Sequence, residues 1–281
     1  MMYDLHVHST ASDGLLNPEE LLVRAEEIGL KGLAITDHDT VHGIEEAYAF
    51  LTTNPLSLQF IPGIEMNTEL DENEVHILGY FIDYHNSRLL HRLEEIREAR
   101  WDRARKMVYR LKSMGLAISF EQVEKLAQGD LIGRPHVARA LTEKGYVFSV
   151  KEAFDKFIGK GRPAYVPRYK FLPREAIELI KSAGGVPILA HPGLLPNAEL
   201  VYEIINLGIA GLEVYYPEHT PQQIGRFLQL CQQFNLLVTG GSDFHGTGRH
   251  ESRNRLGCSG IDVNEFNLLC EYHHGKQITI D

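Results

Sequence analysis

Two short segments at opposite ends of the chain carry closely spaced histidines and carboxylates beside glycine. The first, DLHVHSTASDG, contains His6 and His8, and the second, GSDFHG, contains Asp243 and His245. Residues two positions apart on a strand project to the same side, so the two side chains of each pair can coordinate one ion. A globular chain with such pairs at both ends is most simply explained if the ends meet around metal. The sequence therefore favours a fold that brings its two ends together.

Strand and helix patterns alternate along most of the chain. Tyr3 to Val7 is a predicted strand, and Asn17-Pro18-Glu19-Glu20 then supplies a cap, a first-turn proline and a carboxylate that completes a capping box. The apolar run GLAIT predicts a strand buried on both faces. Further strands are predicted at 58–64, 75–82, 186–190, 211–215 and 236–239, and further helices at 41–51, 174–182 and 222–234. This alternation predicts an α/β fold with parallel strands, arranged as an open sheet or a closed barrel.

The positions of polar residues favour the barrel. Metal-binding side chains lie at or just past the C-terminal ends of predicted strands, where barrel enzymes assemble their sites. They are His6, His8, His38, Glu65, His191, Asp243 and His245. An open sheet would gather them at one switch point instead. Since a single barrel often reaches 281 residues, we expect one barrel with one insertion.

Residues 88–170 interrupt the alternation. Apolar residues keep helical spacing through the charged stretch EEIREARWDRARKM, which predicts one long amphipathic helix followed by shorter ones. We interpret 88–170 as a mainly helical insertion that covers the active site, and 1–87 with 171–281 as the barrel that carries the metal site. The arginines of this stretch fit a solvated helix face, but the stretch is also the only locally basic part of the chain.

Composition limits the class of protein. Hydrophobic residues make up 43% and charged residues 23%, and no apolar run approaches the roughly 20 residues that cross a bilayer. The start MMYDLHVH lacks a secretory pattern, so we expect a cytoplasmic protein with no membrane partner. The formal charge of −10 argues against binding to duplex DNA, whereas a small anionic substrate remains open. Three cysteines without CxxC spacing predict reduced, mostly buried thiols.

Nine residues of metal-binding type form the candidate site. Taken singly, a histidine on a strand is more often a hydrogen-bonded core residue than a ligand. Buried separately and unpaired, however, each of the nine would cost roughly 1–3 kcal/mol. Divalent ions accept carboxylate and imidazole together, and a cluster of ions needs a bridging carboxylate. The nine are His6, His8, Asp13, His38, Glu65, His76, His191, Asp243 and His245.

In the motifs HxH, TDHD, GIE, HILGY, AHPG and SDFH the chain resembles the polymerase and histidinol phosphatase (PHP) superfamily along its whole length. The resemblance implies a distorted seven-stranded (βα) barrel with a trinuclear metal centre, and all nine ligand positions of the family are filled. It implies three sets of ligands: His6, His8, Glu65 and Asp243; Asp13, His38 and His245; and Glu65, His76 and His191. Glu65 would bridge. Manganese is the expected metal, with iron or zinc as alternatives.

Two further stretches, GRPHVARAL and EAFDKFIGKGRPAYVP, are similar to stand-alone bacterial phosphoesterases that act on nucleoside 3′,5′-bisphosphates. By that resemblance Arg134 and His136 bind phosphate, since a guanidinium forks onto phosphate oxygens and an imidazole donates a hydrogen bond. Lys160 and Arg162 are further candidates, which fit a solvated turn equally well. The segment EVYYPEH adds His219 as a residue that faces the substrate.

The resemblance implies a metal-dependent phosphoric ester hydrolase. It would remove the 3′-phosphate of nucleoside 3′,5′-bisphosphates and trim short RNA from its 5′ end by a metal-bound hydroxide. The partner is then a small phosphorylated nucleotide or a short RNA end. The catalytic set would be His6, His8, Asp13, His38, Glu65, Asp243 and His245. Alternatives are a histidinol-phosphate phosphatase or other small phosphomonoesterase, and a non-catalytic binding module, although such modules usually lose ligands.

Overall fold

The computed structural model describes residues 2–127, 132–247 and 255–275, and the chain separates into two compact units. One unit comprises Met1–Leu90 and Phe171–Asp281, and the other comprises His91–Lys170. Each unit has its own cluster of buried apolar side chains. Among the described residues, no helix combines the length and the apolar character needed to cross a bilayer.

Seven strands form one sheet whose spatial order follows the chain. They are β1 Tyr3–Val7, β2 Gly32–Ile35, β3 Gln59–Leu70, β4 Asn73–Tyr80, β5 Val186–Leu189, β6 Gly211–Tyr215 and β7 Leu237–Gly240. Strands β1, β2 and β3 pair in parallel, and so do β5, β6 and β7. Every residue of β1, β2 and β5 is buried, as expected for parallel strands that are covered on both faces.

Strand β4 departs from the predicted parallel pattern. It runs antiparallel to β3 and to β5, because only Asp71 and Glu72 join it to β3 and no crossover helix intervenes. Both residues have a positive φ, as in the two-residue hairpin turns that match strand twist. Strand β3 also continues to Leu70, so Glu65 lies in the middle of a strand. The prediction that Glu65 follows the end of a strand is therefore wrong.

The sheet closes into a nearly complete barrel where the two ends of the chain meet. A parallel bridge joins Val7 to Phe244, and the backbone N–H of His8 donates to the carbonyl oxygen of Phe244 at 3.0 Å. The buried carboxylate of Asp4 accepts hydrogen bonds from the backbone N–H groups of Ser242 and Gly257, at 2.8 and 2.9 Å. The predicted α/β barrel of seven strands is confirmed.

Ten α-helices accompany the strands in the part of the chain that the structure describes. They are α1 Pro18–Glu27, α2 His42–Thr53, α3 Ser87–Ser113, α4 Phe120–Ala127, α5 Arg134–Glu143, α6 Val150–Ala153, α7 Pro173–Ser182, α8 Ala198–Asn206, α9 Pro221–Phe234 and α10 Val263–Gly275. The capping box of α1 is as predicted: the Asn17 side chain accepts from the Glu20 N–H at 2.8 Å, and the Glu20 carboxylate accepts from the Asn17 N–H at 2.9 Å. Such a cap stabilises a helix by about 1 kcal/mol.

The barrel unit buries two main apolar clusters. One joins side chains of β1 to β5 with α10, and in it the ring of Tyr3 stacks on that of Phe266 with 3.9 Å between centroids. The other packs α1 and α2 onto β1 and β2. Because the fully buried side chains of Leu5 and Val7 alternate with His6 along β1, their apolar packing fixes the direction in which the histidine projects.

Residues 91–170 form a helical unit with a separate core. It contains most of α3, all of α4 to α6 and a π-helical turn at Phe154–Ile158. Helix α3 is 27 residues long, so the predicted long helix is confirmed. Its apolar residues Val108 and Leu111 share a buried cluster with Val137 and Leu141 of α5.

The three cysteines are free thiols. Cys231 is buried, and burial raises the pKa of its thiol to about 12. Cys258 and Cys270 are partly buried. None of them forms a disulfide, as the sequence predicts.

Candidate metal centre

The carboxylate of Glu65 lies at the centre of the predicted site. It is 1% exposed, and its Oε2 atom faces three histidines. The Nδ1 atom of His38 is 2.8 Å from Oε2, and the Nε2 atoms of His8 and His6 are 3.3 and 3.4 Å from it. His6 lies on β1, His8 directly follows it and His38 lies in the loop after β2, whereas Glu65 lies within β3. Three neighbouring strands therefore bring these side chains to one point.

The second oxygen of Glu65 faces two more histidines. The Nδ1 atom of His76 is 2.8 Å from Oε1, and the Nε2 atom of His191 is 3.1 Å from it. The β3–β4 hairpin explains the first contact: His76 pairs with Asn67, and residues 65 and 67 lie on one face of β3. One buried carboxylate is thus shared between two groups of imidazoles, as a bridging ligand requires.

The five imidazoles that contact Glu65 form a closed ring around it. Successive ring centroids in the order His6, His8, His38, His76, His191 and back to His6 are 5.2, 4.5, 5.4, 5.0 and 5.9 Å apart. A ring of bases around one acid is a preassembled set of nitrogen donors. The histidines come from four separate segments, at β1, after β2, on β4 and after β5, so the ring exists only in the folded barrel.

Asp243 completes the side nearest the amino-terminal histidines. Its Oδ1 atom is 3.1 Å from His8 Nε2 and 3.4 Å from His6 Nε2, while its Oδ2 atom accepts a hydrogen bond from the Tyr216 hydroxyl at 3.0 Å. Asp243 has φ of 50°, a conformation that L residues rarely adopt. The tyrosine therefore occupies one oxygen and leaves the other directed at the histidines.

His245 and Asp13 form the outer part of the cluster. The Nδ1 atom of His245 donates to the Asp243 carbonyl oxygen at 2.9 Å, which directs Nε2 to Asp13 Oδ1 at 3.2 Å. His245 also stacks on His8 with 4.0 Å between centroids. Asp13 is the most exposed carboxylate of the cluster, with 29% of its side chain accessible.

Ligand atoms gather into three sets whose members all lie within 4.8 Å of one another. The sets are His8, Asp13, His38 and His245; His6, His8 and Asp243; and His38, Glu65 and His76. They overlap the three sets implied by the resemblance but divide the histidines differently. His8 and His38 each belong to two sets, and His191 belongs to none, although it contacts Glu65.

Buried polar atoms test whether this cluster suits metal ions. His6 Nε2, both ring nitrogens of His8, His38 Nδ1 and Glu65 Oε2 are buried and make no hydrogen bond, and the contacts of the histidine nitrogens with Glu65 Oε2 are those of an ion pair only. A buried polar group left in this way costs about 1–3 kcal/mol. All four residues converge on one point, and imidazole nitrogen with carboxylate oxygen is a donor set that Mn²⁺, Fe²⁺ and Zn²⁺ accept. The residues fit a cluster of divalent cations.

The pKa shifts in the cluster follow from opposite charges brought together. Burial raises the pKa of Glu65, but the facing histidines, His38 foremost, lower it more, so it lies well below its usual value. Burial lowers the pKa of His76, but the Glu65 carboxylate outweighs this and raises it to about 10. For His245 the carboxylate of Asp13 has the same effect, and its pKa is about 9. The carboxylates are therefore ionised at neutral pH and ready to bind cations.

Glu213 is a residue of the site that the sequence analysis did not single out. Its fully buried carboxylate accepts from His6 Nδ1 at 2.8 Å and from the backbone N–H of His191 at 2.7 Å. The first contact directs His6 Nε2 towards the cluster, and the second holds His191 at φ of 27°. A glutamate inside the buried strand GLEVY is the signal that could have revealed it.

Two aspartates beside His38 also act through their neighbours. Asp37 accepts from the Ser9 N–H at 2.7 Å and from the hydroxyls of Ser9 and Ser12, both at 2.6 Å, which orders the loop that carries Asp13. Asp39 accepts from the Asn67 backbone N–H at 2.9 Å. The motif TDHD thus contributes one candidate ligand and two buried carboxylates that hold the loops around it.

His219, predicted to face the substrate, has both ring nitrogens engaged inside the barrel unit. Nδ1 donates to the Val214 carbonyl oxygen at 2.9 Å, and Nε2 accepts from the Gly193 N–H at 3.0 Å. Burial lowers its pKa, which agrees with a neutral ring in this tautomer. His219 therefore supports the loop after His191, and a substrate contact would need one of these bonds to break.

The other predicted substrate ligands belong to the helical unit. Arg134 begins α5, and its guanidinium carbon lies 5.4 Å from the centre of the Phe154 ring. His136 is buried, and its Nδ1 accepts from the Gly133 N–H at 3.0 Å. Lys160 and Arg162 are exposed, at the turn that closes through the Arg162 N–H to Gly159 O bond. Their role in phosphate binding stays a prediction.

Comparison with known proteins agrees with this geometry. The model of the PHP domain family matches residues 4–163. The chain is 36% identical over 250 residues to the 5′-3′ exoribonuclease Rnm of Escherichia coli K12, covering 87% of this chain and 85% of that protein. It is 34% identical to a 3′,5′-nucleoside bisphosphate phosphatase of Chromobacterium violaceum, covering 87% of both. The crystal structure of a Bifidobacterium adolescentis protein assigned as a metal-dependent phosphoesterase shares 32% identity over 96% of both chains, with a TM-score of 0.84.

Proposed function

The chain belongs to the PHP family and is a metal-dependent phosphoesterase, and from this premise we propose that it removes the 3′-phosphate of nucleoside 3′,5′-bisphosphates and trims short RNA from its 5′ end. The observation that supports metal-dependent hydrolysis is the ring of five histidines around the buried carboxylate of Glu65. The substrate class is supported by the curated activities of the two relatives, one on RNA and one on nucleoside bisphosphates.

Three divalent cations would be held by the nine candidate ligands, with manganese as the expected metal and iron or zinc as alternatives. The residues are His6, His8, Asp13, His38, Glu65, His76, His191, Asp243 and His245. When bound, such ions lower the pKa of water towards ~7 and neutralise the charge of phosphate oxygens. Glu65 would be shared between ions, because each of its oxygens faces a different group of imidazoles.

The side chains of the chain itself supply position and charge. Glu213 and Tyr216 hold His6 and Asp243 in place by hydrogen bonds to the atoms that point away from the cluster. The carboxylates of Glu65 and Asp243 are ionised, because the pKa of each is lowered. Their negative charge attracts cations, and it disfavours binding of an anionic substrate when no cation is bound. The sequence contains no GxSxG nucleophile motif, and the proposed hydrolysis is a direct attack by water without a covalent enzyme intermediate.

Arg134 and His136 are the proposed ligands of the phosphate that is not cleaved. A guanidinium forms paired hydrogen bonds to two phosphate oxygens, and the Arg134 side chain is partly buried against Phe154 rather than extended into solvent. A requirement for two phosphates would separate this activity from that of a general phosphomonoesterase.

The decisive experiment measures phosphate release from adenosine 3′,5′-bisphosphate after the protein has been stripped of metal and one ion at a time has been restored. Adenosine 5′-monophosphate is the control, and histidinol phosphate tests the rival substrate. We expect Asp243→Ala to abolish turnover and lose metal, and Arg134→Ala to raise KM while metal content is unchanged. Equal release from adenosine 5′-monophosphate would exclude the two-phosphate substrate, and faster release from histidinol phosphate would favour the rival.

A further inference from the structure

Two histidines of the candidate metal centre use one ring nitrogen for the centre and the other for a supporting oxygen. The Nε2 atom of His6 faces Glu65, and its Nδ1 atom lies 2.8 Å from the carboxylate of Glu213. The Nδ1 atom of His245 likewise lies 2.9 Å from the carbonyl oxygen of Asp243. An acceptor at the nitrogen that points away fixes the tautomer and the orientation of a ligand histidine. Each ring is therefore held in the orientation that presents its other nitrogen to the centre.

His76 has the same arrangement, with the carboxylate of Glu74 as its acceptor. The Nδ1 atom of His76 lies 2.8 Å from Glu65 Oε1, and its Nε2 atom lies 3.3 Å from Glu74 Oε1. Residues 74 and 76 are two positions apart on β4, so their side chains project from the same face of the strand. Nδ1 therefore faces the centre, and Nε2 contacts a carboxylate at its edge.

Glu74 lies where a carboxylate is electrostatically unfavourable. It pairs directly with Glu69 across the β3–β4 hairpin, and like charges at such a pair destabilise a sheet. An N–H donor at His76 Nε2 offsets that repulsion, because it gives the Glu74 carboxylate a partner on its own strand. A neutral histidine that offers Nδ1 as a metal ligand carries its proton on Nε2. The form of His76 that is able to bind metal is therefore also the form that stabilises Glu74.

We propose that Glu74 is a positioning residue of the metal centre, which accepts a hydrogen bond from His76 Nε2 and so keeps Nδ1 directed at Glu65 and available to a divalent cation. This proposal rests on the metal centre of the proposed function, but it does not depend on which phosphate ester is the substrate.

The two supporting glutamates differ in their contact with water. The side chain of Glu213 is 0% exposed, whereas that of Glu74 is 49% exposed. Water and salt screen an exposed charge far more than a buried one. Glu74 should therefore contribute less to metal affinity than Glu213 does, and its contribution should decrease as the salt concentration rises.

The test measures metal binding rather than turnover. Full-length protein is stripped of metal and titrated with Mn²⁺, and calorimetry together with the electron paramagnetic resonance signal of free Mn²⁺ gives the number of bound ions and their affinities. We expect Glu74→Gln to weaken binding of one ion roughly tenfold, the lower end of the range for partners of ligand histidines. The deficit should shrink in about 1 M salt, where the Debye length is only about 3 Å.

Glu69→Gln is the matched control. It removes the same charge from the position directly opposite, and in the part of the chain that the structure describes Glu69 makes no ion pair with His76. Its effect on metal affinity should be less than about twofold, because it acts only through screened charge. His76→Ala is the reference for a lost ligand and should bind one ion fewer.

Three results would overturn the positioning role. One is equal metal affinity in Glu74→Gln and Glu69→Gln, which would make Glu74 a general charge. Another is loss of a whole ion in Glu74→Gln, as in His76→Ala, which would make Glu74 a ligand itself. The third is wild-type affinity in both Glu74→Gln and Glu74→Ala, whose folding is checked by thermal unfolding in chelator. Failure to cleave adenosine 3′,5′-bisphosphate would overturn the proposed substrate alone, because these readouts contain no substrate.

Discussion

The two units of this protein handle charge in opposite ways. In the barrel unit every ionised carboxylate of the candidate metal centre faces imidazoles, and Glu65 alone contacts five of them. In the helical unit three ion pairs of α3 are local: Arg97 pairs with Glu94, Arg92 with Glu95 and Lys106 with Asp102. The first arrangement gathers nitrogen and oxygen atoms from remote segments at one buried point, which suits cations. The second joins residues three or four positions apart on one exposed helix, and each such pair stabilises the helix by only about 0.2–0.5 kcal/mol.

The largest expected effect comes from removing the shared carboxylate. Glu65→Gln keeps the size of the side chain but removes the charge that both groups of histidines face. We expect turnover to fall by more than about 10²-fold, beyond the roughly 10- to 100-fold that loss of an outer hydrogen-bond partner costs. The bound metal measured by mass spectrometry should fall with it. Full metal content in this variant would show that Glu65 does not bridge.

Glu213 tests whether the metal centre depends on its surroundings. Glu213→Gln preserves the bulk of a buried side chain but weakens the acceptor for His6 Nδ1. We expect metal affinity to fall roughly 10- to 100-fold, as for other partners of histidine ligands, while KM of the metal-saturated enzyme changes little. Glu218→Gln, an exposed neighbour on the same segment, is the control and should behave like wild type. Similar metal affinities in the two variants would remove the positioning role.

A pH series tests the pairing of acids and bases in the barrel unit. In the metal-free protein His76 and His245 have pKa values of about 10 and 9, so at pH 7 they carry protons that a bound metal would displace. Metal affinity should therefore rise with pH, by up to about tenfold per pH unit for each proton released. Calorimetry of metal binding in buffers of different ionisation enthalpy counts the protons, and heats that do not depend on the buffer would contradict this account.

Much of the secondary structure could be predicted because short-range interactions determine it. The capping box at Asn17, the buried run at Gly32 and the long helix α3 each follow from short-range patterns, and each is present. The hairpin between β3 and β4 could not be predicted in this way. Asp71 and Glu72 adopt positive φ without being glycine or asparagine, so pairing of the two strands imposes the turn rather than the reverse.

The supporting carboxylates escaped prediction for a related reason. Asp37 and Asp39 look like ligands beside His38, and Glu213 looks like an isolated charge in an apolar strand. Their roles depend on partners that are 22 to 207 residues away in sequence. Hydrogen bonds between such remote residues produce no periodic pattern in the sequence, so they could not be predicted from it.

The sequence by itself determined which side chains are available: nine residues of metal-binding type in short motifs, spread over the strands of an α/β barrel. The tertiary structure decided how they are shared, since Glu65 meets two groups of histidines only because β4 reverses direction and brings His76 to the face of β3 that carries Glu65. It also decided that Glu213, which is 207 residues away in sequence, accepts a hydrogen bond from His6 Nδ1. Short-range patterns fix the conformation of a segment, but the distance between charges from remote segments is set by packing, and electrostatic energy depends on that distance.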